Sequence, residues 1–339
     1  MMNRSFNEIK FFIGPMSENV VDSVIQFSKD TNSKVGLIPS RRQIDYSGGY
    51  VNNWKTEQFY EYVRKSNPEI LLCRDHGGEN QGQIIDDGME SFSVDCKYLD
   101  LIHVDPFRIS ESIDQAAIKT KNIIQKLWNL NSKVHYEVGT EEAIFKYSPE
   151  DLNKFLNYLK KSLTEEQFNQ IKYAVVQSGT GLDLSTRTNT GSFNVERLLK
   201  FIDVTRSFDL LSKEHNGDYL IDSCGIKLRF ELGLDSINIA PEFGQVESEY
   251  YLNECKKDKI LFDKLYKICY NSGKWKKWVS DIKQIRKEQL VMICCHYILS
   301  DEKFLKNIKL HFSDANDVIK SNIRKKLECL NEQTKNHRV

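Results

Sequence analysis

Eight short runs rich in Ile, Val and Leu recur along the first 240 residues, and amphipathic stretches long enough for helices separate them. The runs are residues 9–13, 35–38, 70–73, 101–104, 133–138, 173–177, 209–213 and 236–240. Helix-patterned segments fall at 18–29, 55–65, 84–98, 111–128, 149–161, 194–206 and 221–232. Strands and helices that alternate in this way predict right-handed βαβ units and a parallel sheet. Eight strands over about 240 residues is the size of an α/β (β/α)8 TIM barrel. The competing open sheet gains no support, because Gly14-Pro15-Met16-Ser17 follows the first run where a G-x-G-x-x-G would stand.

Beyond about residue 244 the strand pattern stops and helical periodicity, dense in Lys, Glu and Tyr, runs to the end. The expected division is therefore a barrel over 1–245 and a C-terminal helical extension over 246–339, packed on the barrel or used for oligomer contacts. Its lysines are expected on a solvated face. The 48 basic and 48 acidic residues balance, which argues against binding to nucleic acid or to an anionic membrane surface. No apolar run approaches the roughly 18 residues of a membrane span, and the first residues lack signal-peptide anatomy. The eight cysteines have no C-x-x-C spacing. Reduced thiols in a cytoplasmic protein are the expectation.

Polar side chains gather at the carboxyl ends of the predicted strands, where barrel enzymes keep their chemistry. The sets are Ser40-Arg41-Arg42, Arg74-Asp75-His76-Gly77-Gly78, His103-Val104-Asp105, His135-Tyr136-Glu137, Gln177-Ser178-Gly179-Thr180, Glu214-His215-Asn216-Gly217-Asp218 and Asn238-Ile239-Ala240. Strand alternation puts His103 with Asp105, and His135 with Glu137, on one face. Imidazole and carboxylate together suit a divalent transition metal. His76 and His215 each follow a carboxylate that could orient the ring or move a proton. His296, His311 and His337 fall in the helical part and read as structural or exposed. Ser178-Gly179-Thr180 could form a backbone nest for an anion, and Arg41 or Arg42 could clamp a phosphate or carboxylate.

Several of these segments resemble the so-called non-catalytic subunit of class II tagatose-bisphosphate aldolase. They are Ser47-Gly48-Gly49-Tyr50, Asp75-His76-Gly77, His103-Val104-Asp105, Gly139-Thr140-Glu141, Val175-Val176-Gln177 and Glu214-His215 with Asp218-Tyr219. The resemblance spans about residues 10–245. A more distant one, to catalytic class II aldolases, implies Asp75 as the acid/base and His76 as a zinc ligand. It also implies Glu137 as a further acid/base, and His215 as a second ligand opening a phosphate loop. Ile237-Asn238-Ile239 would stand before a phosphate contact. Where those aldolases carry a third zinc-binding histidine, this chain has Gly181-Leu182-Asp183. Either His103, Asp105, Glu137 or Glu214 completes the site, or no catalytic metal binds.

The resulting expectation is a metal-dependent enzyme that splits or 4-epimerises a ketose or ketose phosphate, with a divalent ion such as zinc as cofactor. Catalysis would rest on Asp75 and Glu137, and metal binding on His76, His215, His103 and Glu214. Substrate contacts would come from Arg41, Arg42, Asp105, Gln177, Ser178, Gly179, Thr180, Asn216, Asp218 and Asn238. The alternative is a subunit that stabilises a separate aldolase chain; a metal-dependent sugar isomerase is a third, weaker reading. Partners would be a small sugar, with a homo-oligomer or an aldolase subunit beside it.

Overall fold

The computed structural model describes residues 6–140, 146–221, 225–279, 282 and 285–335, so Glu141, Cys224 and His337 lie outside the described residues. Ten strands occur in it: β1 (Phe11–Ile13), β2 (Gly36–Leu37), β3 (Leu71–Gly77), β4 (Leu101–Val104), β5 (His135–Val138), β6 (Ile171–Val176), β7 (Thr180–Asp183), β8 (Thr188–Gly191), β9 (Leu211–Glu214) and β10 (Ser236–Ile239). Eight of them close a parallel barrel in the order β1-β10-β9-β6-β5-β4-β3-β2. The last strand meets the first, with Phe12 opposite Asn238. The expected (β/α)8 barrel is thus the fold, and each of the eight apolar runs supplies one of its strands. β7 and β8 stand outside the barrel as an antiparallel hairpin, Thr180 opposite Gly191.

Period-two alternation divides the core into two layers. Phe12, Leu71, Cys73, Leu101 and Tyr173 pack inside the barrel. Their neighbours Ile13, Leu72, Ile102 and Ala174 face the surrounding helices. Each fully buried large side chain contributes about 1.5–3 kcal/mol. Serine caps set several helix starts: Ser17 accepts from the Val20 N–H, and Ser112 from the Gln115 N–H. No helix among the described residues is long and apolar enough to cross a membrane.

After β10 the described elements are all helical. The helix Pro241–Cys255 begins at the barrel mouth and runs through the expected boundary at 245–246. The last helix, Ala315–Lys335, returns to the barrel wall. Lys320 pairs with Asp22 at 2.6 Å and Arg324 with Asp30 at 2.6 Å, both on the helix after β1. Lys326 reaches Glu242 at 2.7 Å, and Gln333 donates to the Ile221 carbonyl. Lys320, 38% exposed, stays on the solvated face expected of the extension's lysines while pairing with the barrel, whereas Lys326 is 22% exposed and lies against Glu242.

His296 is fully buried in this interface, with its ring 4.0 Å from that of Tyr297. Neither ring nitrogen has a hydrogen-bond partner. Burial drives its pKa down from 6.5 to about 3. The unfolded chain takes up a proton on this ring near pH 6.5 and the folded chain only near pH 3, so stability falls as pH drops through that window. His296→Phe, close in shape, is expected to flatten the fall. Urea midpoints at pH 7 and pH 4 would check it, and an unchanged pH slope would contradict it.

Candidate active site at the barrel mouth

β3 carries the first departure from regular geometry. Its alternation sends Cys73 inward and Arg74 outward, where the guanidinium forms two bonds to Asp95 (2.7 and 2.6 Å) and others to the carbonyls of Pro39 and Ile44. Asp75 comes next and faces inward, so a regular strand would turn His76 away. Instead the register with β4 shifts between Arg74 and Gly77, and His76 takes a left-handed φ of 46°. Such a backbone costs a non-glycine residue about 1 kcal/mol or more. As a result the consecutive residues Asp75 and His76 line the same cavity.

The imidazoles of His76, His103 and His215 converge there, with ring centroids 5.1, 5.3 and 4.9 Å apart. One ligand atom from each lies within 4.8 Å of the others. Every ring has one nitrogen directed at an acceptor. His76 Nδ1 lies 2.7 Å from Asp105 Oδ2, His103 Nε2 2.9 Å from the Gly139 carbonyl, and His215 Nε2 2.6 Å from Glu137 Oε1. Since carbonyls and carboxylates only accept, each of these nitrogens donates a proton, while the other nitrogen of His103, Nδ1, accepts the His76 backbone N–H at 3.3 Å. Burial also holds the His103 pKa below the usual imidazole value, which favours the neutral, ligating form. Three imidazoles oriented from behind by acceptors are, in their neutral form, a donor set that fits a divalent cation such as zinc.

Glu137 is fully buried beneath this triangle, bonded to Lys213 Nζ at 2.6 Å as well as to His215. Burial pushes its pKa up, but Lys213 and His215 outweigh that and leave the carboxyl well below the usual range. Fully buried, bonded to Lys213 and His215 and outside the cavity lining, Glu137 is placed to orient His215 and not, as expected, to exchange protons with a substrate. Lys213 is also fully buried, 3.7 Å from the Phe12 ring centroid. Sequence reading missed it, because one lysine within an apolar run looks like a strand edge.

Other expected residues have different employment. Glu214 accepts from Arg229 (2.6 Å) and from the Ser178 N–H (2.9 Å), and it does not belong to the three-histidine group. The backbone nest is filled by the chain itself: Gln177 Oε1 takes the N–H groups of Gly179 (2.6 Å) and Thr180 (3.2 Å). Arg41 is buried and bound to Asp45, Asp86 and the Gly78 carbonyl, so it braces the loop after β3 instead of clamping substrate. Asp105 orients His76. His135 opens β5 and packs on Phe6 (4.8 Å), which removes it from the mouth.

Arg42, Asn216, Asp218 and Asn238 do line the cavity with Asp75, whose volume is about 610 Å³. Asp218 accepts the Ala240 and Glu242 N–H groups at the start of helix Pro241–Cys255. Burial, with Glu242 adding repulsion, pushes its carboxyl up to about 8.

No protein-family model and no curated protein matches this sequence. Solved structures do match. A probable tagatose 6 phosphate kinase from Sinorhizobium meliloti 1021 superposes with a TM-score of 0.65 at 16% identity, covering 94% of this chain and 87% of that one. The YdjI aldolase from Escherichia coli K12 gives 0.57 at 13%, covering 97% and 94%. The fructuronate-tagaturonate epimerase UxaE from Cohnella laeviribosi gives 0.58 at 9%, covering 96% and 81%. At these identities the likeness is one of fold, and its coverage takes in the C-terminal helices as well as the barrel.

Removing one partner of a fully buried ion pair strands the other. Lys213→Met is therefore expected to destabilise the protein by about 3–5 kcal/mol in urea unfolding. The double variant Lys213→Met/Glu137→Gln, which keeps an acceptor for His215, should recover most of the loss. Equal destabilisation in both would show that the pair is not the cause.

Proposed function

We propose that this chain is a metal-dependent carbohydrate enzyme acting on a ketose or ketose phosphate, by retro-aldol cleavage or by 4-epimerisation through the same bond breakage. The observation that carries this reading is the three-imidazole centre with Asp75, 17% exposed, beside it: Asp75 Oδ1 lies 3.6 Å from His215 Nδ1 and 3.9 Å from His76 Nε2. The shared fold of an aldolase and of a sugar-acid epimerase supports it. A divalent ion held by His76, His103 and His215 would polarise the ketose carbonyl and its neighbouring hydroxyl and stabilise the charge left when the C–C bond breaks.

Asp75 then takes the proton from the C4 hydroxyl. The O–H electron pair becomes the new C=O bond, and the C3–C4 pair stays with C3. If the aldehyde leaves, the outcome is cleavage. If C3 attacks the other face of the same carbonyl and Asp75 returns the proton, the outcome is the 4-epimer. Glu137 and Asp105 fix the rings of His215 and His76, and neither touches substrate.

One observation favours the alternative, a non-catalytic partner of a separate aldolase chain: the loop expected to hold phosphate has its N–H groups occupied by Gln177 and Glu214. Two variants separate the readings. Asp75→Asn is nearly isosteric but cannot carry the proton, so turnover should fall by at least about 100-fold with metal content unchanged. His76→Ala should lose metal and turnover together. Elemental analysis and a turnover screen over ketoses and ketose phosphates check both. A wild-type chain that turns over none of them with added divalent metal, while supporting a separate aldolase chain equally well as Asp75→Asn, would establish the subunit reading.

A further inference from the structure

The cavity has walls from both parts of the chain. Its floor carries His76, His215 and Asn238. Its rim carries four cations: Arg42 after β2, Arg108 after β4, and Lys274 and Lys277 from the short turn Lys274–Lys277 in the extension. Gly273, at φ +65°, ends the helix Lys259–Ser272 and starts that turn. The turn is pinned to the barrel by aromatic contacts. Lys277 Nζ lies 4.5 Å from the Trp278 ring centroid, Trp278 Nε1 donates to the Tyr297 hydroxyl at 3.0 Å, and Tyr297 packs edge-on against Tyr50 of the barrel at 5.0 Å. Among the described residues, the acidic side chains in the wall are Asp75 and Asp218. Asp218 is spent on a helix start, accepting the Ala240 and Glu242 N–H groups.

Two further observations point to a ligand. Asn238 is 3% exposed on the floor, yet neither its Oδ1 nor its Nδ2 has a hydrogen-bond partner. The nest at 178–180, the other place for an anion, is closed by Gln177 and Glu214. An anionic group on a molecule reaching down to the histidines would therefore meet its counter-charge at the rim.

We propose that Lys274 and Lys277 form an anion-binding wall, supplied by the helical extension, which holds the phosphate or carboxylate of a substrate whose carbonyl end reaches the histidine centre. The position of the carbonyl end rests on the ketose reading above; the anion site does not. The extension thereby selects acidic sugars over neutral ones.

Calorimetric titration of the full chain tests this with four probes: inorganic phosphate, D-fructose 6-phosphate, D-fructuronate and D-fructose. Wild type is expected to bind at least one of the two anionic ketoses 10-fold or more tighter than D-fructose, about 1.4 kcal/mol. Which one it prefers identifies phosphate or carboxylate as the recognised group. In Lys274→Gln/Lys277→Gln the preference should drop below about 2-fold with D-fructose affinity unchanged. Lys276→Gln, on the same turn but outside the cavity wall, should behave as wild type. A preference that survives the double variant, or none in wild type, overturns the proposal. Phosphate binding lost in the double variant, without turnover of any ketose, would keep the anion wall and reject the ketose reaction. Turnover with unchanged affinities in the double variant would do the reverse, and a chain that binds none of the probes would reject both.

Discussion

Two consecutive residues of a regular strand cannot both face the inside of a barrel, and the site depends on breaking that rule once. The left-handed backbone at His76 turns its ring back toward the axis beside Asp75, bringing an acid and a ligand to one point. The distortion has to be held. Arg74, one residue earlier, is locked on the outer face by Asp95 and two carbonyls, while the shifted pairing with β4 resumes at Gly77. A side chain at Gly77 would meet Phe92 at 2.6 Å and the His103 carbonyl at 2.8 Å, so the bulge is followed by the residue that lets β4 close in.

Below that point the electrostatics form a column. Lys213 neutralises Glu137, Glu137 orients His215, and His215 faces Asp75. Burying a lysine and a glutamate costs several kcal/mol each, and only the close pair and its further bonds offset it. What the chain obtains is geometry: a ring held by a charge that does not titrate in the physiological range. His103, oriented by a neutral carbonyl instead, contributes a ligand without adding charge to the floor.

The barrel was legible because strands buried on both faces read as continuous Ile, Val and Leu runs. The β7–β8 hairpin was not, since Thr188, Asn189 and Thr190 are polar and at least partly exposed and leave no apolar pattern. Of the candidate site, the histidines could be placed from their positions at strand ends. The choice between Glu214 and His215 could not, because adjacent residues point oppositely and only the partner, Arg229, shows which way. The same holds for Arg41 and for the 178–180 nest, whose occupants lie four or more positions away or in a neighbouring side chain. The lysines of the turn at 274–277 were the least readable. Periodicity tells which way a helix faces, but nothing local says that a turn some 200 residues after Asp75 closes over the same cavity.

The last helix has a consequence for how the molecule comes into being. Its contacts with the first helix join positions as far as 298 residues apart, Asp22 with Lys320. Chain synthesis therefore exposes the first helix long before its covering neighbour exists. Contacts of such separation must wait for a large loop to close, which slows assembly and prolongs the exposure of unfinished surface. Neighbouring strands can pair as they emerge, but β1 must wait for β10, and the ring of helices stays open on one side until the helix Ala315–Lys335 has been made. A chain cut short before residue 315 would leave uncovered the surface on which Ile319, Ile323, Leu327 and Leu330 are buried.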